Sequence, residues 1–88
     1  MKVDFKKSFL RDVKRVRDAS VKTWVRETIQ SIEEAQVPQE IRDLKKLKQG
    51  ERYYRIRIGD YRLGLILEND TFVFVRILHR KDLYRYFP

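Results

Sequence analysis

The chain is 88 residues long, carries a formal charge of +8 and is 42% hydrophobic. A hydrophobic share of this size excludes a disordered basic tail and predicts one small folded domain, residues 1–88, whose cationic surface suits nucleic acid and, as the main competitor, an acidic protein. With no cysteine and a single histidine, a disulfide framework and a cysteine-based zinc site are excluded, and the one histidine cannot supply a metal cluster.

Met1 to Phe5 alternates and predicts a short first strand. No apolar run approaches the about 20 residues that cross a bilayer, so the cytosol is the expected location. Phe9, Leu10, Val13 and Val16, then Val21, Trp24, Val25, Thr28, Ile29, Ile32 and Ala35, recur at helical spacing and predict two amphipathic helices over about 7–17 and 20–35. Asp18 or Ser20 is placed to cap the second, and the short connection favours an antiparallel helical hairpin. Pro38 ends this region. Residues 39–50 then read as a basic loop with a helical turn around Ile41 to Leu44.

Three strands follow, at about 52–58, 61–68 and 71–78, joined by the tight-turn pairs Gly59-Asp60 and Asn69-Asp70 into a meander. The expected class is α+β, with the N-terminal strand and helical hairpin packed on one face of a small antiparallel sheet. Continuous register through both turns puts Tyr54, Ile56, Ile58, Tyr61, Leu63, Leu65, Leu67, Phe72, Phe74 and Leu78 on the core face. The other face receives Arg55, Arg57 and Arg62 beside Gly64, Ile66, Val73, Val75 and Ile77. Arg76 breaks the pattern by falling on the core face, so either it pairs with a carboxylate at the rim or the register slips near the end of the strand.

The hairpin register sets Arg57 directly opposite Arg62, with Arg55 one pair further along. Opposed like charges destabilise a sheet, whereas guanidinium groups side by side grip phosphate bidentately and stay charged at every relevant pH. Gly64 beside them leaves room for a ligand to approach the backbone. Residues 42–57 hold seven basic side chains (Arg42, Lys45, Lys46, Lys48, Arg52, Arg55, Arg57) against two acidic ones. This stretch could track a phosphate backbone, or it could be a solvated surface.

The tail from His79 to Pro88 mixes charge and aromatics and can fold back beside the arginines, bringing His79, Arg80 or Tyr84 to them. Tyr84 could serve as a catalytic phenol and His79 as a general base or acid. Tyr53 is free to stack on a base, while Tyr54 and Tyr61 belong to the core face. Ile66, Val73, Val75 and Ile77 next to the arginines would form an apolar patch suited to a partner helix with acidic flanks.

Two motifs, Tyr54-Arg55-Ile56-Arg57-Ile58-Gly59-Asp60-Tyr61-Arg62-Leu63 and Leu78-His79-Arg80-Lys81-Asp82-Leu83-Tyr84, give the chain a close resemblance to the RelE toxins of the RelE/ParE superfamily, most of all to archaeal-type RelE proteins. The resemblance runs over the whole chain. It implies a type II toxin that cuts mRNA on the ribosome without a metal or cofactor and is silenced by a RelB-type antitoxin. It also implies site positions at Arg55, Arg57, Arg62, Arg80 and Tyr84. Because ParE-type gyrase poisons share the fold and part of the hairpin motif, a non-enzymatic toxin that docks a protein target is the alternative.

Overall fold

Helix α1 (Lys7–Arg15) and helix α2 (Ala19–Glu34) fall where the apolar spacing places them, each a residue or two short of the expected C-terminus. Asp18 caps α2: its carboxylate accepts from the Ser20 amide at 2.9 Å and the Ser20 hydroxyl at 2.6 Å, satisfying donors that the first turn leaves unpaired. The computed structural model describes all 88 residues. Five strands, β1 (Lys2–Phe5), β2 (Leu44–Lys46), β3 (Tyr53–Ile58), β4 (Tyr61–Glu68) and β5 (Thr71–His79), make one mixed sheet in the order β1-β5-β4-β3-β2.

Gly59 at φ 57° opens the β3–β4 turn, and Asn69 and Asp70 at φ 50° and 63° form the β4–β5 turn. One or two left-handed residues are what two-residue hairpins require, because such turns match the right-handed twist of the strands. The meander is therefore as expected. Two additions to the sheet are not. β1 pairs with β5 in parallel, Lys2 opposite Thr71 through Phe5 opposite Phe74. The connector, expected to be a loop with a helical turn, instead makes a single 3-10 turn at Pro38–Glu40 and then the edge strand β2, with Lys45 opposite Arg55.

The main core lies between the helices and the sheet. Phe9, Val16, Val21, Val25 and Ile32 of the helical hairpin meet Ile56, Ile58, Leu63, Leu65, Phe72, Phe74 and Ile77. Ile77 was expected on the opposite face and Leu78 on this one. The exchange comes from a bulge: Leu65 faces Phe74 but Gly64 faces Arg76, so Val75 is an extra residue that turns the remainder of β5 over.

The bulge forms where β1 stops and α1 takes over the edge of β5. The Lys6 amide donates to the Phe74 carbonyl at 2.9 Å, and the Ser8 hydroxyl donates to the Val75 carbonyl at 2.6 Å. One turn later Asp12, 5% exposed, accepts from the Ile77 amide at 3.1 Å and from Arg76 Nε and Nη2 at 2.7 and 3.1 Å. Arg76 thus both sits at the rim with a carboxylate and marks a register slip.

A second, smaller cluster occupies the other face. The tail turns at 80–82 into a short helix, α3 (Leu83–Tyr86), and buries Leu83 and Phe87 with Leu47 against Tyr53, Ile66, Val75 and Leu78. Phe87 lies directly on Gly64, where a Cβ would come within 2.7 Å of the ring. Gly64 therefore admits a side chain of the same molecule, not a ligand. The apolar patch expected to be open is already covered at Ile66 and Val75, and Ile77 is not on that face.

Removing Asp12 leaves Arg76 without its carboxylate and the Ile77 amide without an acceptor. Asp12→Ala should cost about 3 kcal/mol, read as a lower urea midpoint with unchanged slope. A midpoint equal to the wild type would show that the pair does not hold α1 to β5.

Candidate functional site

The arginines meet where the β3–β4 turn and the start of the tail come together. Arg57 stands opposite Arg62 and Arg55 opposite Gly64, all on the face away from the helical hairpin. Arg62 is a half-buried residue whose guanidinium is anchored through Nη1, which donates to the carbonyls of Gly59 and Tyr61 at 2.8 Å each. The Arg80 amide donates to the Asp60 carbonyl at 2.7 Å, so the residue that begins the tail is clipped to the same turn.

Arg62 is the electrostatic centre of this group. Burial lowers its pKa from the ordinary guanidinium value, and the charges of Arg57, Arg55 and Arg80 lower it further, while Tyr84 acts in the opposite sense. Those four neighbours are the residues the sequence assigned to one site. None of the four arginines forms a salt bridge; the chain's three ion pairs are Lys46 with Glu51, Arg52 with Glu68 and Arg76 with Asp12. A cluster of cations held without ion-paired carboxylates, one of them partly shielded from water, is stabilised by any anion that binds among them.

β2 extends the cluster in a way the sequence reading missed, because a three-residue strand is too short to show alternation. By pairing with Arg55, Lys45 joins the row Lys45, Arg55, Gly64 across three strands. Lys46, one residue on, points to the other side of the strand and pairs with Glu51 at 3.0 Å. Arg52 is engaged with Glu68 and lies over the Tyr53 ring at 5.7 Å. Lys48 is exposed. Of the basic residues assigned to phosphate contact, Lys45 and Arg55 are aligned with the arginine pair, whereas Lys46 and Arg52 have intramolecular partners.

The aromatic candidates separate in the same way. Tyr84 is 58% exposed on α3, and the burial of its neighbours Leu83 and Phe87 holds it on the arginine side of the sheet. Tyr53 is half-buried, edge-on to Phe87 at 5.9 Å, and serves the second cluster. His79 pairs with Tyr61 across β4 and β5, with the rings 6.0 Å apart, in a cleft shared with Asp12, Arg15 and Val16 of the α1 side. Its Nδ1 accepts from the Lys81 amide at 3.3 Å. The structure brings Arg55, Arg57, Arg62, Arg80, Tyr84 and Lys45 together and turns His79 to the other side of the sheet.

The arrangement offers donors and positive charge with no carboxylate ion-paired to the arginines, which suits stabilising a phosphate that gains negative charge. No helix is long and apolar enough to cross a membrane.

Comparison with known proteins identifies the family. Residues 3–84 match the family model described as the ParE toxin of type II toxin-antitoxin systems, parDE. The chain is 39% identical to Toxin RelE3 of Methanocaldococcus jannaschii over the full length of both proteins. Its fold is similar to the crystal structure of a RelB-RelE antitoxin-toxin complex from Methanococcus jannaschii, with a TM-score of 0.82 and 36% identity over 97% of this chain and 99% of that one. It is also similar to the toxin-antitoxin complex RelBE2 of Mycobacterium tuberculosis, with a TM-score of 0.70 and 25% identity over 92% of each chain. The chain belongs to the RelE family of type II toxin-antitoxin toxins, within the wider group that the ParE toxin model describes.

Proposed function

We propose that this toxin is a ribosome-dependent, metal-independent mRNA endonuclease that stops translation. The observation that carries the proposal is the convergence of Arg55, Arg57, Arg80 and Tyr84 on the half-buried, counterion-free Arg62. The proposed step is attack of a ribose 2′-oxygen on the adjacent phosphorus. The bond from phosphorus to the 5′-oxygen breaks, and the leaving oxygen takes a proton from water, leaving a cyclic phosphate and a free 5′-hydroxyl. Arg57, Arg62 and Arg80 neutralise the charge that builds on the phosphoryl oxygens, a preorganised contribution because the hairpin fixes two of them before substrate arrives. Arg55 and Lys45 hold a flanking phosphate.

Tyr84 is the residue assigned to take the 2′-proton. A phenol accepts a proton near neutral pH only if nearby cations stabilise its anion, and Tyr84 lies within the field of Arg62. His79 is the rival residue, but its position beside Tyr61 on the helical-hairpin side favours Tyr84. The ribosome enters because the cluster holds phosphates without a closed pocket to orient them, so the mRNA needs an external scaffold for in-line geometry. The match to the ParE toxin model keeps one other reading in play, a toxin that docks a protein such as DNA gyrase and does no chemistry.

A RelB-type antitoxin is the proposed partner, since the similar solved structures are RelB-RelE complexes. On the arginine face it would meet Leu83 and Phe87 seated over Ile66 and Val75. It therefore either covers the arginines with α3 in place or displaces α3 and takes Tyr84 with it.

Ribosomes programmed with a defined message should be cut in single-turnover assays, while gyrase supercoiling stays uninhibited; the converse pair of results would favour the ParE-type reading. In the same assay Arg57→Ala or Arg62→Ala should lose about 10- to 1,000-fold in rate, the scale of one charge-stabilising donor. Arg57→Ala should keep a wild-type urea midpoint or exceed it, whereas Arg62→Ala also loses the bonds to the Gly59 and Tyr61 carbonyls; full activity in both would remove the pair from the mechanism.

Tyr84→Phe keeps the ring and deletes the ionisable oxygen, so it should lose about 100-fold or more, with little change in His79→Gln. The opposite ranking would transfer the proton to His79. Finally, a co-expressed antitoxin should co-purify, suppress cleavage and bind more weakly as salt rises, because charges at the rim of the interface assist association. A stable complex that still cuts message at the free-toxin rate would refute this account of control.

A further inference from the structure

Trp24 was expected on the buried stripe of α2 but is 46% exposed. Its indole edge rests against the β3–β4 turn, 3.6 Å from where a Cβ at Gly59 would stand, so the hairpin fixes the ring without covering it. Beside it a cleft of about 420 Å³ runs between α2 and the free end of β3, with Trp24, Glu27 and Thr28 on one side and Arg42, Asp43 and Arg57 on the other. None of these four charged side chains forms a salt bridge. Arg57, exposed near the end of β3, lines this cleft on the helix side and also stands opposite Arg62, so it is the one side chain shared between the cleft and the arginine cluster.

We infer that this cleft holds one unstacked ribonucleotide next to the phosphate gripped by the arginine cluster, its base on Trp24. Each component has a chemical partner in such a ligand. A fixed, exposed indole offers a stacking face to a base that has left its neighbours. Arg42 and Arg57 meet the phosphate. Glu27 and Asp43 repel a bare polyanion but accept from N–H groups of a base edge or from a ribose 2′-hydroxyl, so the site selects a nucleotide over a simple anion. The packing role of Trp24 alone does not account for the four free charges gathered around it. The inference rests on the RNA-cleaving reading above and adds to it a base-contacting subsite outside the arginine face.

Trp24 is the only tryptophan in the chain, so its fluorescence reports on the cleft directly. The test pairs two measurements. A single-stranded RNA blocked by 2′-O-methylation at the cut site is titrated against the wild-type protein, alongside the same RNA made abasic at each flanking position in turn. Ribosome-programmed cleavage is then compared for wild type, Trp24→Phe, Trp24→Leu and Arg42→Ala. The intact RNA should quench Trp24, and one abasic substitution should abolish the quenching. Trp24→Leu should lower kcat/KM about 10-fold, the scale of one stacked base. Trp24→Phe should restore most of that loss, and the Leu variant should be no worse than wild type on the message lacking the stacked base. Wild-type cleavage with full activity in Trp24→Leu and no quenching overturns the subsite and leaves the nuclease standing. Base-dependent quenching without any cleavage removes the nuclease reading and keeps the cleft, and absence of both removes both.

Discussion

The extra residue in β5 governs which side chains the two faces of the sheet receive. Side chains alternate along a strand with a period of two, so one unpaired residue at Val75 exchanges every later position between faces. Ile77 goes under the helices and Leu78 comes to lie opposite Arg62. The strand then ends with the tail leaving toward the arginines. Had the register run straight through, His79 would stand on the arginine face instead of beside Tyr61 on the helix side. The bulge is held from outside the strand by Ser8 on its carbonyl and by Asp12 on the two residues that follow. Helix α1 is thus a determinant of the arginine face, although it contributes no side chain to it.

Energetic magnitudes explain why the fold tolerates the face it builds. Arg57 opposite Arg62 costs a few tenths to about 1 kcal/mol as a like-charge pair. A single buried Leu or Phe returns about 1.5–3 kcal/mol, and the main cluster holds fourteen buried residues, including Phe9, Phe72 and Phe74. The charge penalty is small beside the core, and it falls on residues that core packing does not need. The lowered pKa of Arg62 records the same penalty from the side of the proton: burial and three neighbouring cations both disfavour the charged form. A bound anion removes the second contribution.

Periodic information located the elements, and where a single contact decided the structure it was not legible. Both helices, the three-stranded meander and the Arg57/Arg62 pairing followed from spacing and from Gly59-Asp60 and Asn69-Asp70, because turn type fixes hairpin register. β2 was missed because three residues cannot show a period, and it became a strand only through the free edge of β3. The bulge left one trace, the misplaced Arg76, but the residue that explains it, Asp12, lies 64 positions away on α1. Gly64 showed that something approaches the backbone without showing that the visitor is Phe87. Trp24 satisfied the helical spacing and was assigned to the core on that basis, yet hydrophobic spacing selects a face and not a depth.

The two halves of the candidate site are held with different firmness. Arg57 and Arg62 stand on a tight hairpin inside a five-stranded sheet, so their positions are fixed whether or not a ligand is present. Tyr84 stands on a four-residue helix, far below the length at which a helix persists on its own, so its place depends on tertiary contacts. Those contacts are chiefly Leu83 and Phe87, with Arg76 lying over the Tyr86 ring at 5.9 Å. Two buried anchors at about 1.5–3 kcal/mol each are set against about 1–2 kcal/mol of backbone entropy for every residue ordered. The segment has no surplus of burial to hold it, while the sheet carries the main core. In the proposed reaction, charge stabilisation is permanent and proton transfer is conditional on the seating of α3. The same Arg76 that fastens α1 to the bulge through Asp12 also touches α3 through Tyr86, so the contact that sets the strand register also helps to seat the segment that carries Tyr84.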